Sequence, residues 1–437
     1  MSLFRRYVNL VTGNGLQGIY SLRRLNSDNF FYPANEAAAK ARDLTGLDRA
    51  PQHDLSSRIA QKKKEKKKKK KQAAALSSGQ PQLQRLERTI RPPRPIFTVR
   101  PTKCPETSGD QPRLHFFALS GTKIFFSDGG RRTALYDAEA RCVITAPCLH
   151  ARKDWPVALS LPSPAGPEAE GEQEGDSSLY IMDTTLDPTN ATPFEALVFR
   201  NRPDEHFSAQ KTWHCDALPR PPFFHRRRPD QYTSVSSYAV VGDVICVSLA
   251  SLGTYCFDTV SRTWSLAGDW QMPFSGKAEY DPELELWFGV SADDQQLPCA
   301  ADLSPVPGGH APEKRQCYIW GDPKLPVDWL PDVYGSAQMV SLGSGRFCIM
   351  NYFQDMEGRS SSMDKLSDDA DGDPIVVFSG LEVFPGNGNG KENSSGKQSN
   401  SDSDKEICSG KGNGPRMIKH KSRLFRESDT HCIESVL

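Results

Sequence analysis

Two sets of sulfur and imidazole donors could bind a metal in this chain: Cys142, Cys148 and His150, and His206, His214 and Cys215. Zinc takes such donors, four at a time in a closed structural site and usually from closely spaced pairs. The eleven cysteines include no C-x-x-C pair. Four ligands would have to converge from distant segments, so these residues read as ordinary thiols and imidazoles, with no metal or cofactor. Asp368, Asp369, Asp371 and Asp373 offer oxygen donors to calcium, but the D-x-D-x-D-G order and the later Glu of a calcium loop are missing. Gly13-Asn-Gly-Leu-Gln-Gly18 has the form G-x-G-x-x-G. A dinucleotide site needs its third glycine to open a helix, whereas Ile19 to Leu25 is β-like and Pro33 bars a long helix. The segment therefore predicts a hairpin. Carboxylates and histidines are plentiful, yet no spacing pairs an acid with a base, and the chain reads as a non-enzyme.

Recognition is better served. The segment Arg220-Pro-Pro-Phe-Phe-His-Arg-Arg-Arg228 offers aromatic and arginine anchors to a protein partner, with Phe223, Phe224, Arg226, Arg227 and Arg228 as candidate contacts. Its other reading is a strand connection whose two phenylalanines pack inward. A second basic element comprises Lys62, Lys63, Lys64, Lys66, Lys67, Lys68, Lys69, Lys70 and Lys71, interrupted by Glu65. Such a run repels itself and supplies no core. It is either a nuclear-import signal or contact to an acidic partner such as nucleic acid, or a solvated low-complexity insertion. Without interleaved aromatics it is no stacking platform for single strands, and nucleic acid enters only through this run.

The elements that must position these residues are strands. From Tyr238 to Trp264, apolar and β-branched residues run in short pieces, with Gly242-Asp243 and Gly253 at the turns. Phe257-Asp258 then opens a tight connection, and Trp264 follows six residues after the Asp on the returning strand. This Trp is expected to pack across its own sheet as a core residue. Tyr136-Asp137 and Tyr280-Asp281 repeat the pair, with Val143 and Trp287 six residues on. Five four-strand groups follow: 114–146, with Gly129-Gly130 at its centre; 157–215; 238–264; 277–320; and 337 to the end. The last strand of the fifth group is either 422–425 or 432–436. Residues 7–12 and 19–25 add two N-terminal strands, and Asn35 caps a predicted short helix over 36–44.

The chain divides by composition. Lys and Arg outnumber Asp and Glu by 22 to 7 in residues 1–100 and are outnumbered 32 to 47 thereafter. Residues 1–50 hold the N-terminal strands and short helix, expected to associate with the β body and complete or flank one of its units, 51–110 a disordered basic linker with the lysine run, and 111–437 the β body, with mobile insertions at 162–177, 355–373 and 386–415. An odd cysteine count, with several in apolar strand-like runs, suits reduced buried thiols in the nucleus or cytoplasm. No apolar run approaches the roughly 20 residues of a membrane span, and the first residues lack a secretory core.

Groups with a glycine turn, an aromatic-Asp pair and a following Trp resemble kelch-type β-propeller blades. The segments Arg5-Arg6-Tyr7-Val8-Asn9-Leu10-Val11, Gly18-x-Tyr20-Ser-Leu-Arg-Arg24 and Phe30-Phe31-Tyr32-Pro33 resemble the N-terminal signature of a grass-expanded plant family of uncharacterised, domain-of-unknown-function proteins. The resemblance implies an all-β, kelch-like or F-box-associated-type propeller and no established activity. The fold expected is thus a propeller of five or six blades with a disordered basic N-terminal segment, since closure in a ring removes exposed sheet edges. The function expected is a protein-interaction module. Alternatives are a substrate-recognition subunit of a ubiquitin ligase, although no three-helix F-box is evident, or an enzyme using the central channel.

Overall fold

The computed structural model describes residues 5–33, 89–102, 113–162, 177–201, 211–225, 233–292, 297–317, 329–332, 337–356, 373–384, 416–428 and 432–437. Among them the regular elements are strands and short 3₁₀ turns. β1 (Tyr7–Asn14) and β2 (Ile19–Asn26) form a hairpin, to which β3 (Phe97–Val99) is added. Blade 1 is β4 (Leu114–Ala118), β5 (Lys123–Asp128), β6 (Thr133–Asp137) and β7 (Cys142–Ala146). Blade 2 is β8 (Pro156–Pro162), β9 (Ser177–Asp183), β10 (Phe194–Arg200) and β11 (Thr212–Ala217). Blade 3 is β12 (Val235–Val241), β13 (Val244–Leu249), β14 (Gly253–Asp258) and β15 (Thr263–Gly268). Blade 4 is β16 (Phe274–Asp281), β17 (Leu286–Ser291), β18 (Pro298–Asp302) and β19 (Glu313–Cys317). In blade 5 the short β20 (Trp329–Pro331) and β21 (Gln338–Gly343) both pair with β22 (Arg346–Asp355), followed by β23 (Asp373–Phe384) and β24 (Arg416–Arg426). The last strand, β25 (Cys432–Val436), returns to β1 and completes a sixth blade in the order β25-β1-β2-β3.

Six blades need six seams, and six apolar clusters supply them. Val11 and Leu22 of blade 6 meet Phe116 and Ile124 of blade 1; Phe125 and Leu135 meet Ile181 and Leu197 of blade 2; Met182 and Phe194 meet Val247 and Phe257 of blade 3. Cys246 and Cys256 face Trp287 and Ala301 of blade 4, Leu286 and Phe288 face Phe347 and Ile349 of blade 5, and Val340, Leu342 and Phe378 close on Val8 and Leu10 of blade 6. The architecture is a closed β-propeller. Because both faces of each blade are covered, its middle strands are buried along their length, as in β14 and β17, whereas outer strands such as β7 and β15 are largely exposed. That is why the middle strands stand out as continuous apolar runs.

The aromatic-Asp pairs act locally. Asp137, Asp258 and Asp281 each end a strand and accept, through Oδ1, backbone N–H bonds from the second and third residues onward, at 2.8–3.2 Å. The fourth residue onward, Arg141, Arg262 or Glu285, is left-handed, with φ of 52°, 56° and 54°. This four-residue connection sets the aromatic opposite the residue six past the Asp: Tyr136 pairs with Val143, Phe257 with Trp264 and Tyr280 with Trp287. The motif marks a hairpin and has no fixed place in a blade. In blades 1 and 3 it joins the outer two strands, in blade 4 the inner two. Trp264 therefore sits on an outer strand and is only half-buried, which corrects its expected core position. It packs on Phe257, Phe194 and Phe223, and its Nε1 donates to Pro219 O at 2.9 Å. Trp287 is the core residue, 6 % exposed, with Nε1 donating to Val240 O at 2.7 Å. Trp287→Ala is expected to cost about 3–5 kcal/mol and Trp264→Ala roughly half that. Thermal melts of the two variants check the order, and equal or reversed losses would contradict this placement.

One expectation changes at the N-terminus. Phe97–Val99 lies in the segment predicted to be disordered, yet it forms the outer strand of blade 6, where Phe97 stacks on Tyr136 at 4.7 Å. The signature segments are structural. Phe30 is fully buried, and its carbonyl accepts from Lys421 N at 2.9 Å. A side chain at Gly380 would collide with that carbonyl. Tyr32 N donates to His420 Nδ1 at 3.1 Å, and His420 Nε2 meets Glu382 at 2.9 Å. Gly13 to Gly18 is the predicted hairpin, turning with Gly18 at φ 61°. The helix expected over 36–44, most of residues 51–110, and the bulk of the three insertions lie outside the described residues.

Candidate functional site

The link from β7 to β8 crosses the edge of blade 2 and carries His150, Ala151 and Lys153 onto Glu195 of β10. Glu195 is fully buried and Lys153 is 5 % exposed. Every acceptor position on the carboxylate is used. Oε1 takes the Lys153 ammonium in a close ion pair and Ala151 N at 3.1 Å. Oε2 takes His150 N at 2.7 Å, His150 Nδ1 at 2.9 Å and the Cys215 thiol of β11 at 3.1 Å. Lys153 also donates to Ala151 O at 3.0 Å and Thr192 O at 2.8 Å, so its three protons all have acceptors. Burial pushes the Glu195 carboxyl up, but Lys153 and the other donors outweigh it and hold the group below its ordinary range.

One residue from each predicted donor set thus comes together, His150 and Cys215, with Sγ 3.6 Å from Nδ1. The others do not join them. Cys142 and Cys148 are exposed, which corrects their reading as buried thiols, and His214 Nε2 meets Thr212 Oγ1 at 3.1 Å. His206 lies outside the described residues. Glu195 and Lys153 were missed in the sequence, although a carboxylate within Phe194-Glu-Ala-Leu-Val198 is itself a sign of a buried charge needing a partner. The cluster is not a nucleophilic relay. A triad needs the acid and the nucleophile on opposite ring nitrogens, whereas Glu195 and Cys215 both approach Nδ1. Burial and the neighbouring carboxylate push the Cys215 thiol up, so it stays protonated.

The same link places Trp155 at the end of the ring where β4 and β8 begin. Trp155 is 62 % exposed, and the Arg113 guanidinium lies over its ring, 5.0 Å from the centroid. Exposed Arg131 and Arg132 lie on the neighbouring β5–β6 turn, and Arg152 pairs with Asp154 at 2.6 Å. Nearby His115 is pushed down to about 4 by burial and by the charge of Arg113, so it is neutral at physiological pH.

The predicted partner contacts divide. Phe223 and Phe224 are 0 % and 4 % exposed in a 3₁₀ turn. Phe223 packs on Tyr255 and Trp264 at 5.2 and 5.7 Å, while Arg220 covers Phe224 at 5.0 Å. They plug the seam between blades 2 and 3 and offer nothing to a partner, because burying an aromatic there is worth more than leaving it in water. Arg226, Arg227, Arg228, the nine lysines from Lys62 to Lys71, and Asp368, Asp369 and Asp371 lie outside the described residues, as does the side chain of Asp373.

No described helix is long and apolar enough to cross a membrane. Among curated proteins none matches the chain. Of solved structures, the β-propeller domain of Cps50 (Swd1) from Myceliophteria thermophila is similar at 12 % identity and a TM-score of 0.24, over 41 % of this chain and 49 % of that one. The family described as protein of unknown function (DUF1668) matches residues 5–425, nearly the whole ring, and the chain belongs to that family.

Proposed function

We propose that this propeller is a non-enzymatic interaction module that binds a protein partner at the end of the ring where the blade-to-blade links emerge. The observation that carries this reading is Trp155, a large aromatic left 62 % exposed beneath a stacked arginine. Tryptophan and arginine are the residues on which interface energy concentrates, and a tryptophan held by a cation–π contact loses little freedom on binding. Arg131 and Arg132 give this end a basic rim suited to an acidic segment of the partner. Residues 218–234, which include Arg226, Arg227 and Arg228, form the link from blade 2 to blade 3, and its described ends lie at the same end of the ring. The N-terminal signature and the cysteine usage further suggest a plant protein of the nucleus or cytoplasm, with blades of kelch type.

The test is affinity purification with the full chain as bait, comparing wild type with Trp155→Ala/Arg113→Glu and with Arg226, Arg227 and Arg228 all reversed to Glu. A partner enriched by wild type should be lost from the first variant and weakened by the second, more so at low salt. Unchanged capture by both would refute this face as the binding surface, and turnover of a substrate by the purified protein would refute the non-enzymatic reading.

A further inference from the structure

We propose that His150, Glu195 and Cys215 form a binding site for a zinc-class divalent cation, which would pin the link between blades 1 and 2 onto the outer strands of blade 2. This goes beyond partner binding and does not depend on it. The three donor atoms lie within 4.8 Å of one another. A tetrahedral zinc ion with bonds of about 2.0–2.3 Å sets its ligands roughly 3.4–3.6 Å apart. The Cys215 Sγ to His150 Nδ1 edge, 3.6 Å, already matches. The edges to Glu195 Oε2, 3.1 and 2.9 Å, are shorter because protons hold them together. Oε2 thus has two donated protons where a cation would sit, one from a thiol and one from an imidazole.

The exchange balances. The cation enters, Cys215 gives its thiol proton to solvent and binds through sulfur, and His150 moves its proton from Nδ1 to Nε2. One proton is released per cation. Glu195, Lys153 and the Cys215 thiolate then sum to one negative charge, which the divalent ion overcompensates by one. Lys153 is no ligand. It stays on Oε1 and orients the carboxylate, as partners of metal-ligating groups do. Thiolate with imidazole selects zinc or cobalt over magnesium or calcium, and the half-exposed His150 leaves the fourth position open to solvent. The assignment asks for no turnover.

The test uses the reduced full-length protein titrated with Co²⁺, whose thiolate charge-transfer band and tetrahedral d–d spectrum report sulfur coordination. One equivalent should develop the band, and Zn²⁺ should abolish it. Cys215→Ala and His150→Gln should each weaken binding by more than about 100-fold, since loss of a supporting group alone costs 10–100-fold. Cys142→Ala/Cys148→Ala should leave it unchanged. His150 is half-exposed, so its variant folds whether or not the Cys215 variant does, and near-UV circular dichroism confirms this. Absence of the band in wild type, or its persistence in His150→Gln, would overturn the assignment.

Discussion

Lys153→Met is expected to lower the unfolding free energy by about 3–5 kcal/mol, among the largest losses for any single side chain in this protein. Removing one member of a buried ion pair leaves the other as an uncompensated charge, and Glu195 is fully buried. The loss should depend on pH, with a definite sign. In the wild type the folded carboxyl sits below its ordinary range. The stability it contributes is therefore complete above the unfolded value near 4.3 and is lost as pH falls through the lower folded value. In the variant, burial no longer meets the ammonium, and the folded value rises above the unfolded one. Its stability is then greatest at acid pH and declines as pH rises. The gap between the two proteins should be widest at pH 7 and narrow steadily toward pH 4. Denaturant titrations at pH 7 and 5 measure it, and a gap of equal size at both would show that Glu195 is not held by this ion pair.

Deleting residues 432–437 should abolish cooperative folding. β25 is the innermost strand of blade 6: Val436 N donates to Gln338 Oε1 of β21 at 3.3 Å, and Leu437 exchanges backbone bonds with Asn9 at 2.9 and 3.1 Å. Ile433 and Val436 are each 7 % exposed. Two such side chains, at roughly 1.5–3 kcal/mol each, and several backbone bonds at about 1 kcal/mol each approach the 5–15 kcal/mol that holds a typical domain together. The remaining strands would also present β1 as an open edge. Loss of the cooperative thermal transition by near-UV circular dichroism is the expected result. A truncated protein melting at the wild-type midpoint would show that the ring closes without this strand.

Five blades were legible because each is one continuous piece of chain, with middle strands buried on both faces and turns marked by Gly or an Asx-turn Asp. The sixth was legible only as a pair of N-terminal strands that complete or flank a blade, because Cys432–Val436 and Tyr7–Asn14 pair across more than 400 residues, and nothing local to either strand records its partner. The aromatic-Asp motif specifies a turn and carries no blade position, so Trp264 and Trp287 look equivalent in the sequence. Their different burial is set by strand position in the blade, which hairpin chemistry does not specify.

The candidate site divides in the same way. Residue type and near-neighbour spacing in the sequence determined that His150 and Cys215 were candidate donors and that no close-spaced metal motif exists. Only the tertiary structure decided which donors meet. It drew one from each set, added Glu195 and Lys153, and turned Phe223 and Phe224 inward while leaving Trp155 in solvent. Local pattern dictates strands and turns because their hydrogen bonds and burial alternate within a few residues. A site shared by an inter-blade link and two outer strands depends on how closed sheets pack, and the sequence carries no local periodicity for that.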